Sequence, residues 1–483
     1  MKNNNFISKI NYNLLVAIIG ISLFMCLSCI IGYQSSLLIG IIPIVLLSVG
    51  IALTKSWISL TFLFVTNYII MGVTRYIYIS IPITNVFDLI YGTIIAFIII
   101  KQIYKHEDFS KVLNTYTIVT FIWLLYCTIN IGNNVTGSIH FESWLRTVRP
   151  LAIYPFVTCF VISLSCKNYK FIYYFLLLLS IFTLLGASRG IWQKYHGFDS
   201  TEYEWLMTVG ARTHLIYSGI RFFSFFTDAA NFGCSMGLSF VILFISSIFT
   251  KNRYLKILFI LSAAFSIWGL LLSGTRAAMA IPFVGIALFT ILAKKWKYIA
   301  LSAFCLFTAF FILKFTTIGN SNSAIRRMRT AFNIEDASFQ VRIENQKALK
   351  AYMKEAPFGI GIGVQPSDIS VQNKFYFVST CASDSDLVYI WMRLGVVGLT
   401  IYLILQFIIY AYGAYIILFK IKNEEIRGLL TGLLCGCAGL LVASYANQVS
   451  LQFPNGLLSF TCLTLVFLGP YLDKQYSKEH GCK

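Results

Sequence analysis

Residues 229–249 read AANFGCSMGLSFVILFISSIF, an apolar run without one charged side chain, and they follow directly after Asp228. A helix of roughly 20 apolar residues is long enough to cross the hydrocarbon core of a bilayer. The aspartate ahead of the run carries the charge that favours a helix N-terminus. This stretch therefore predicts a membrane-spanning helix, and similar runs recur along the chain.

The composition extends this prediction to the whole chain. Hydrophobic residues make up 58% of the 483 residues and charged residues only 12%, and the mean hydropathy is +0.75, which excludes an ordinary soluble domain. Polar residues separate about fourteen candidate spans, at 12–31, 36–54, 57–73, 85–101, 115–131, 150–166, 170–188, 229–249, 254–273, 275–293, 297–316, 392–419, 428–448 and 455–472. We expect an all-α, polytopic transmembrane helical bundle of about 12–14 spans, forming a single integral membrane domain over 1–483.

The distribution of lysine predicts which loops lie on the cytoplasmic side of the membrane. Taking the N-terminus as cytoplasmic places eighteen of the twenty-four lysines in short loops on the inner side, as the positive-inside rule requires. Both termini are then cytoplasmic. The arginines follow the opposite pattern, because only Arg253 and Arg427 join the inner lysines and the other twelve face outward.

Arginine on the outer side indicates an anionic ligand. The guanidinium group is planar, stays charged and binds phosphate or carboxylate through two parallel hydrogen bonds. An external cluster therefore favours a substrate that carries such groups. The alternative is that these arginines pair with acidic residues on the same side and with lipid headgroups.

Other functional classes have little support in the sequence. The first apolar segment lacks a small-residue cleavage site and is too long for a signal-peptide core, so we expect it to remain as a membrane helix. No HExxH, paired CxxC or acidic calcium loop occurs. We expect no metal, no cofactor and no nucleic acid partner.

The first outer segment with candidate site residues is 131–150. Arg146 and Arg149 lie just before a span, and we regard both as candidates for substrate binding. Arg149, beside Pro150, is the better candidate of the two. The alternative for aromatic and arginine residues at this depth is an interface anchor.

The second outer segment, an external loop at 188–228, ends in RFFSFFTD at the start of an apolar helix. Ionisable groups near membrane depth are costly, so they usually face a cavity and mark function. The candidates here are Arg212, His214, Arg221, Asp228 and Asn231. The alternative is an ion pair between Arg221 and Asp228 that only fixes the start of the helix.

The third segment, a large external (periplasmic) loop at 317–391, is too long for a plain connection and is a candidate working element. Residues 338–355 predict an amphipathic helix, which is suited to lie on the outer leaflet. Arg342 stands alone among apolar neighbours near its start and is a candidate ligand residue. The alternating glycines at 359–363 allow backbone amides to approach a phosphate.

Two short motifs complete the candidate site. Arg276 lies in SGTRAA, a short outer turn between two apolar helices, and no carboxylate lies near it in sequence. Asp384-Ser385-Asp386 stands ahead of the next long span and is weak as a metal motif. Asp384 is suited to accept the proton of an acceptor hydroxyl, and Asp386 to bind substrate. The alternative is an acidic cap on the following helix.

Taken in order, these motifs resemble the O-antigen ligase and O-antigen polymerase superfamily. The resemblance rests on Arg221–Phe225, on SGTRAA at 273–278, on Arg342 followed by APFGIG, and on a polar pair ahead of LGVVGL at 394–399. It implies a membrane glycosyltransferase of the GT-C-like type that requires no metal. Such an enzyme acts on the external face of the bacterial cytoplasmic (inner) membrane, with its active site facing the periplasm.

The resemblance also implies roles for individual residues. Arg221, Arg276 and Arg342 contact the pyrophosphate of an undecaprenyl-pyrophosphate-linked oligosaccharide. We add the mechanistic hypothesis that Asp384 or His214 assists the acceptor hydroxyl and that one direct displacement inverts the anomeric centre. Besides the lipid membrane, a chain-length regulator and a separate flippase are implied partners.

One departure from the family pattern favours a polymerase. Ligases of the family usually show His-Asn where this chain has Asp384-Ser385. We therefore expect polymerisation of lipid-linked repeat units into O-antigen, capsular polysaccharide or exopolysaccharide. The alternatives are an O-antigen ligase that transfers the glycan to lipid A core or protein and, less favoured, a lipid-linked oligosaccharide flippase.

Overall fold

The computed structural model describes residues 56–77, 82–104, 109–137, 141–216, 219–318, 320, 323–329, 337–383 and 385–480. In this part of the chain nineteen α-helices follow one another: α1 Ser56–Tyr76, α2 Ile83–Tyr104, α3 Thr115–Ile129, α4 Phe141–Val148, α5 Tyr154–Ser165, α6 Lys170–His196, α7 Ser200–Trp205, α8 Ala211–His214, α9 Ala229–Phe249, α10 Arg253–Ser273, α11 Ala280–Leu292, α12 Trp296–Phe315, α13 Ser323–Arg329, α14 Ala337–Met353, α15 Tyr376–Thr380, α16 Asp386–Tyr415, α17 Glu424–Ala443, α18 Asn455–Phe467 and α19 Gly469–Glu479. Strands β1 (Leu215–Ile216) and β2 (Gly219–Ile220) form one short antiparallel hairpin.

The chain divides into two compact units, residues 1–63 with 89–107, and residues 64–88 with 108–483. The described part of the first unit consists of residues 56–63 of α1 and 89–104 of α2. Both parts are regular helix, and Thr61 and Thr93 each donate a hydroxyl hydrogen bond to the carbonyl four residues earlier. The second unit contains all the described residues that the sequence marks as site candidates.

Eight of the described helices are long and apolar enough to cross a membrane, or nine if the pair α18 and α19, bent by 60°, counts as one span. This confirms a polytopic all-α membrane protein. The span predicted at 229–249 has the same bounds in the structure, whereas the one predicted at 392–419 starts earlier, at Asp386. The spans predicted at 12–31 and 36–54 lie outside the described residues, so a total of 12–14 stays a prediction.

Helix α9 forms the middle of the second unit and packs against α6, α10, α11 and α17. Its side chains are almost all buried, and four of them are glycine or serine in the stretch GCSMGLS. Small residues let helix backbones approach closely where lipid provides no hydrophobic drive for association. A Cβ at Gly233, for example, would overlap the Ser273 hydroxyl at the end of α10.

The two ends of α10 carry different cations. Lys251 lies 4.0 Å from Glu425 just before α10 begins, while Arg221 contacts Ser273 where α10 ends. The 21 residues of α10 separate the two ends by about 32 Å. At α10 a lysine and an arginine thus lie at opposite ends, and both the sidedness of the other loops and the assignment of the arginine end to the external side stay predictions.

The amphipathic helix of the long external segment is present as α14, but its apolar face is covered by protein. Leu349 and Met353 pack in a buried cluster with Ile360 and Phe375 of the following loop and with Met392 of α16. The expected position on the outer leaflet is therefore wrong for this face. This part of the segment packs on α16 through Met392.

The glycine-rich loop after α14 docks at a break in α16. Gly395 has a left-handed φ of 70°, which interrupts the helix and exposes the carbonyls before it. Ile360 N donates to Met392 O at 3.0 Å, and Gly361 N donates to Arg393 O at 3.1 Å. These amides are bonded to α16, so the expected approach of this glycine run to a phosphate is not supported.

Candidate functional site

The arginine end of α10 is a tight turn that contains Arg276. Helix α10 stops at Gly274, whose φ of 57° is left-handed, and a 3-10 turn starts at Ala277. Arg221 reaches this turn from the preceding loop. Its Nε donates to Ser273 O at 3.2 Å and its Nη2 to the Thr275 hydroxyl at 2.7 Å.

A third arginine, Arg327 on α13, lies on the same turn. Its Nε donates to Gly274 O at 2.6 Å. The position where Gly274 would carry a Cβ lies 3.4 Å from a side-chain carbon of Arg327 and 3.5 Å from one of Arg221. The two arginine side chains therefore flank Gly274, next to Arg276 in the chain. We call Arg221, Arg276 and Arg327 the arginine turn.

Two cations of the arginine turn, Arg221 and Arg276, interact electrostatically. Burial lowers the pKa of the Arg221 guanidinium below its ordinary value; the Asp228 carboxylate opposes that shift, and the Arg276 guanidinium adds to it. Among the described residues no carboxylate forms an ion pair with Arg221, whose guanidinium donates hydrogen bonds to two carbonyls and a hydroxyl. Like charges held together in this way favour an anion between them.

Asp228 is the acid closest to this cluster in sequence, and it caps α9. Its carboxylate accepts hydrogen bonds from Ala230 N at 2.7 Å and Asn231 N at 2.9 Å. The alternative of an Arg221–Asp228 ion pair is not observed, although the expectation that Asp228 fixes the start of the helix is met. Its charge acts on Arg221 through space.

Asn231 joins this cap to a buried amide network. Its Nδ2 donates to Asp228 Oδ2 at 3.0 Å and to Gln452 Oε1 at 2.6 Å. Asn455 Nδ2 in turn donates to Asn231 Oδ1 at 3.1 Å. Asn231 is completely buried, so its amide holds other protein groups in place. The predicted contact of Asn231 with substrate is replaced in this structure by contacts within the protein.

The turn 221–228 that presents Arg221 is held by Arg75 of α1. Ser224 adopts a left-handed φ of 53°, which is strained for a residue with a Cβ. Arg75 donates to the carbonyls of Ser224, Phe226 and Thr227, and its guanidinium lies 4.4 Å from the ring centres of Trp205 and Phe223. Arg75 is therefore an outer arginine with a structural role.

His214 is buried beneath the same turn, and both of its ring nitrogens are used. Its Nδ1 donates to Gly210 O at 3.1 Å, so Nε2 is the nitrogen that accepts from Ala229 N at 3.1 Å. Burial lowers the pKa of His214 to about 4. The predicted role of His214 as a base for the acceptor hydroxyl conflicts with this geometry, since the only acceptor nitrogen caps α9.

Asp386 also serves the protein rather than an open site. Only 1% of it is exposed, and its Oδ2 accepts hydrogen bonds from Ser450 N at 2.9 Å and from the Ser450 hydroxyl at 2.6 Å. These bonds attach the start of α16 to the loop between α17 and α18. The predicted contact of Asp386 with substrate is not supported by this arrangement, and Asp384 lies outside the described residues.

The outer arginines of the first segment have acidic partners. Arg149 lies 2.9 Å from Asp88 and Arg146 lies 3.1 Å from Glu142. Arg149 also donates to Thr84 and Asn85, so it joins α2 to the π turn before α5. The alternative, that outer arginines pair with outer acids, holds for these two residues. Among the described residues, neither side chain contacts the arginine turn.

The other predicted cations lie on separate elements. Arg212 is exposed on α8, and Arg342 is half-buried on the first turns of α14. Helix α14 packs against α16. The convergence of Arg342 with Arg221 and Arg276 stays a prediction.

Sequence reasoning did not single out Arg327. It stands in RRMR, which looks like a charged surface run, yet Met328 beside it is completely buried. An apolar residue inside a basic run was the available signal that α13 packs on the bundle. Contacts between α13 and α10 place Arg327 on the turn.

Comparison with known proteins supports the resemblance found in the sequence. Residues 261–403 match the family model for Wzy_C, described as O-antigen ligase. The matched segment contains Arg276, Arg327 and Arg342, whereas Arg221 and His214 precede it. No curated protein matches the chain significantly. The match supports a role in polysaccharide-related glycan ligation or polymerisation.

Proposed function

We propose that this protein, which carries the O-antigen ligase domain in residues 261–403, polymerises lipid-linked oligosaccharide repeat units on the external face of the cytoplasmic membrane. The donor is a glycan attached to undecaprenyl pyrophosphate, and the diphosphate occupies the arginine turn. The observation that carries this proposal is the approach of Arg221 and Arg327 to one glycine, Gly274, beside Arg276.

The chemistry follows from the charges. The acceptor hydroxyl oxygen attacks the anomeric carbon of the donor sugar, and the bond from that carbon to the phosphate oxygen breaks. The electron pair stays on the leaving pyrophosphate, whose negative charge increases in the transition state. Guanidinium groups that are already in place stabilise this charge, and losing one such contact costs on the order of 10²- to 10³-fold in rate.

The proton of the acceptor hydroxyl must pass to a base. His214 is occupied by Ala229, so we assign this role to Asp384, which precedes the Asp386 anchor by two residues. A single displacement inverts the anomeric configuration. No step in this scheme uses a metal ion, because the arginine turn supplies the positive charge.

A polymerase is favoured over a ligase by one feature of the sequence. Asp384-Ser385 stands where ligases of the family usually have His-Asn. A ligase would move one finished chain to a lipid A core or a protein. A polymerase lengthens the chain while it stays attached to the lipid.

The test is a reconstituted reaction in liposomes with lipid-linked repeat units from the source strain, with products separated by length. Arg221→Ala, Arg327→Ala and Arg342→Ala should each reduce chain formation by about 100-fold or more. Arg326→Ala is the matched control, since Arg326 is the exposed neighbour of Arg327 and donates to Asn320 O. Normal chain formation by Arg221→Ala would refute the site, and transfer of glycan to a second acceptor without lengthening would identify a ligase.

A further inference from the structure

The loop between α17 and α18, residues 444–454, reads SYANQVSLQFP. It contains three side-chain amides, two hydroxyl-bearing serines and an aromatic tyrosine, and it has no charged residue. It connects the C-terminal end of α17 to the start of α18. We call it the amide loop. None of the motifs discussed above includes it.

The backbone of the amide loop is fixed by buried groups from three other helices. Asp386 of α16 accepts hydrogen bonds from Val449 N and Ser450 N, at 3.3 and 2.9 Å. Asn67 of α1 donates to Pro454 O at 3.1 Å. The Phe453 ring stacks on Phe87 of α2 with the ring centres 3.9 Å apart. A loop attached at so many points presents its remaining side chains in fixed positions.

Those remaining side chains are available. Asn447 and Gln448 are half-exposed and Tyr445 is 52% exposed, and none of their side chains is hydrogen-bonded to another described residue. A side-chain amide can donate and accept hydrogen bonds, and a sugar hydroxyl can do the same. Each amide of the loop can therefore bind two neighbouring hydroxyls of a sugar. A tyrosine ring supplies an apolar face with a polar tip. This neutral set suits glycan hydroxyls and offers little to a diphosphate.

The amide loop is linked by hydrogen bonds to the start of α9. Gln452 Oε1 accepts from Asn231 Nδ2 at 2.6 Å, and the same Nδ2 donates to Asp228 Oδ2 at 3.0 Å. Asp228 begins α9 directly after the turn 221–228 that carries Arg221. Two hydrogen bonds therefore join the amide loop to Asp228, whose charge acts on Arg221 of the arginine turn.

We propose that the amide loop binds the sugar residues of the acceptor glycan, with Asn447 and Gln448 as hydrogen-bonding groups and Tyr445 as an apolar contact. This inference rests on the proposed function, because it assigns the uncharged part of the same site. Asp386 is then a positioning residue, which acts on the acceptor through the backbone of the loop. In this proposal the diphosphate binds the cationic arginine turn and the glycan binds the uncharged amide loop.

The first experiment measures binding of the two substrate parts separately, in the full-length protein in detergent. The probes are undecaprenyl pyrophosphate and the repeat-unit oligosaccharide, released by mild acid from the lipid-linked intermediate of the source strain. Asn447→Ala/Gln448→Ala should weaken oligosaccharide binding, observed by saturation-transfer NMR, by about tenfold. Binding of undecaprenyl pyrophosphate should be unchanged. Gln372→Ala, at an exposed amide of the long external segment, is the control.

Steady-state rates provide the second readout. The double variant should raise the KM for the acceptor about tenfold with kcat within about twofold, because the lost bonds hold the ground state and the transition state equally. Asp386→Ala should raise the same KM, and Asp386→Asn should restore it in part, since its amide oxygen still accepts from Ser450 N.

The outcomes separate the two proposals. If the double variant binds the oligosaccharide as the control does, the amide loop is not the acceptor site. Loss of undecaprenyl pyrophosphate binding in the double variant would also overturn the assignment. If the wild-type protein binds no undecaprenyl pyrophosphate while it binds the oligosaccharide, the proposed function fails and the amide loop stands as a glycan-binding site.

Discussion

The buried His214 predicts how the stability of the protein depends on pH. Its Nε2 accepts a hydrogen bond from Ala229 N, so a proton on Nε2 would place two donors face to face. Burial, the largest cause, lowers the pKa of His214 from its ordinary 6.5 to about 4 in the folded protein. The unfolded chain therefore binds this proton at a higher pH than the folded protein does.

The sign and size of the effect follow from that difference. Above pH 6.5 His214 is neutral in both states, and its contribution to stability is fully present. As the pH falls from 6.5 towards 4, the unfolded state gains a proton that the folded state does not, and stability is lost. A pKa difference of this size corresponds to about 3 kcal/mol.

The assay is unfolding in detergent, followed by tryptophan fluorescence between about pH 7 and pH 4.5. His214→Gln keeps a donor and an acceptor without a titrating group, so it should lose less stability on acidification than the wild type. His196→Gln, at an exposed histidine, is the control and should follow the wild type. Parallel pH profiles for His214→Gln and the wild type would refute the structural role of the histidine.

Three further substitutions test the packing around the site. Gly395→Ala should lower the free energy of unfolding by about 3 kcal/mol or more, because the added Cβ would overlap Pro357 O and the φ of residue 395 is left-handed. The control is Gly92→Ala, where the added Cβ meets open space, and equal thermal midpoints for the two variants would contradict the docking of the glycine loop. Arg75→Lys should release the turn at Ser224 and reduce polymer formation, since an ammonium cannot reproduce the stacked, multiply bonded guanidinium; activity equal to wild type would disprove the need for that geometry. Arg149→Ala should reduce the free energy of unfolding, measured by denaturation, by about 1 kcal/mol, and should change kcat, measured by product formation, by less than about threefold. A roughly 100-fold loss of kcat would instead assign Arg149 to the catalytic site.

The membrane helices could be predicted from the sequence because each one carries its own signal. The run at 229–249 is apolar throughout and starts after a capping aspartate, and α9 has these bounds in the structure. The sequence also assigns lysine and arginine to alternate loops, and α10 has Lys251 before its start and a contact with Arg221 at its end. Local composition determines both features.

The partners of individual side chains could not be predicted in this way. Asp386 was expected to bind substrate, and its partner in the structure, Ser450, is 64 residues away in the sequence. Arg221 was expected either to pair with Asp228 or to face an anion, and in the structure it contacts the Ser273–Thr275 turn. Such contacts depend on which helices pack together, and a single sequence carries little information about that.

Long-range packing also hid the residues that the structure adds to the site. Arg327 reaches the turn because α13 folds back on α10. The amide loop lies beside the turn because α9 and α18 share the Asn231–Asn455 contact. Neither the RRMR run nor the SYANQVSLQFP stretch has a spacing that indicates chemistry on its own.

The most direct test of the arginine turn is the affinity of the protein for undecaprenyl pyrophosphate in detergent, measured for the wild type, Arg221→Ala, Arg327→Ala and the double variant. If both guanidinium groups grip one diphosphate, each single change should weaken binding by about tenfold or more, and the double change should depart from the sum of the two single effects. The exposed Arg326→Ala should bind as the wild type does. Equal affinity for the double variant and the wild type would contradict the account, because the diphosphate would then be held elsewhere.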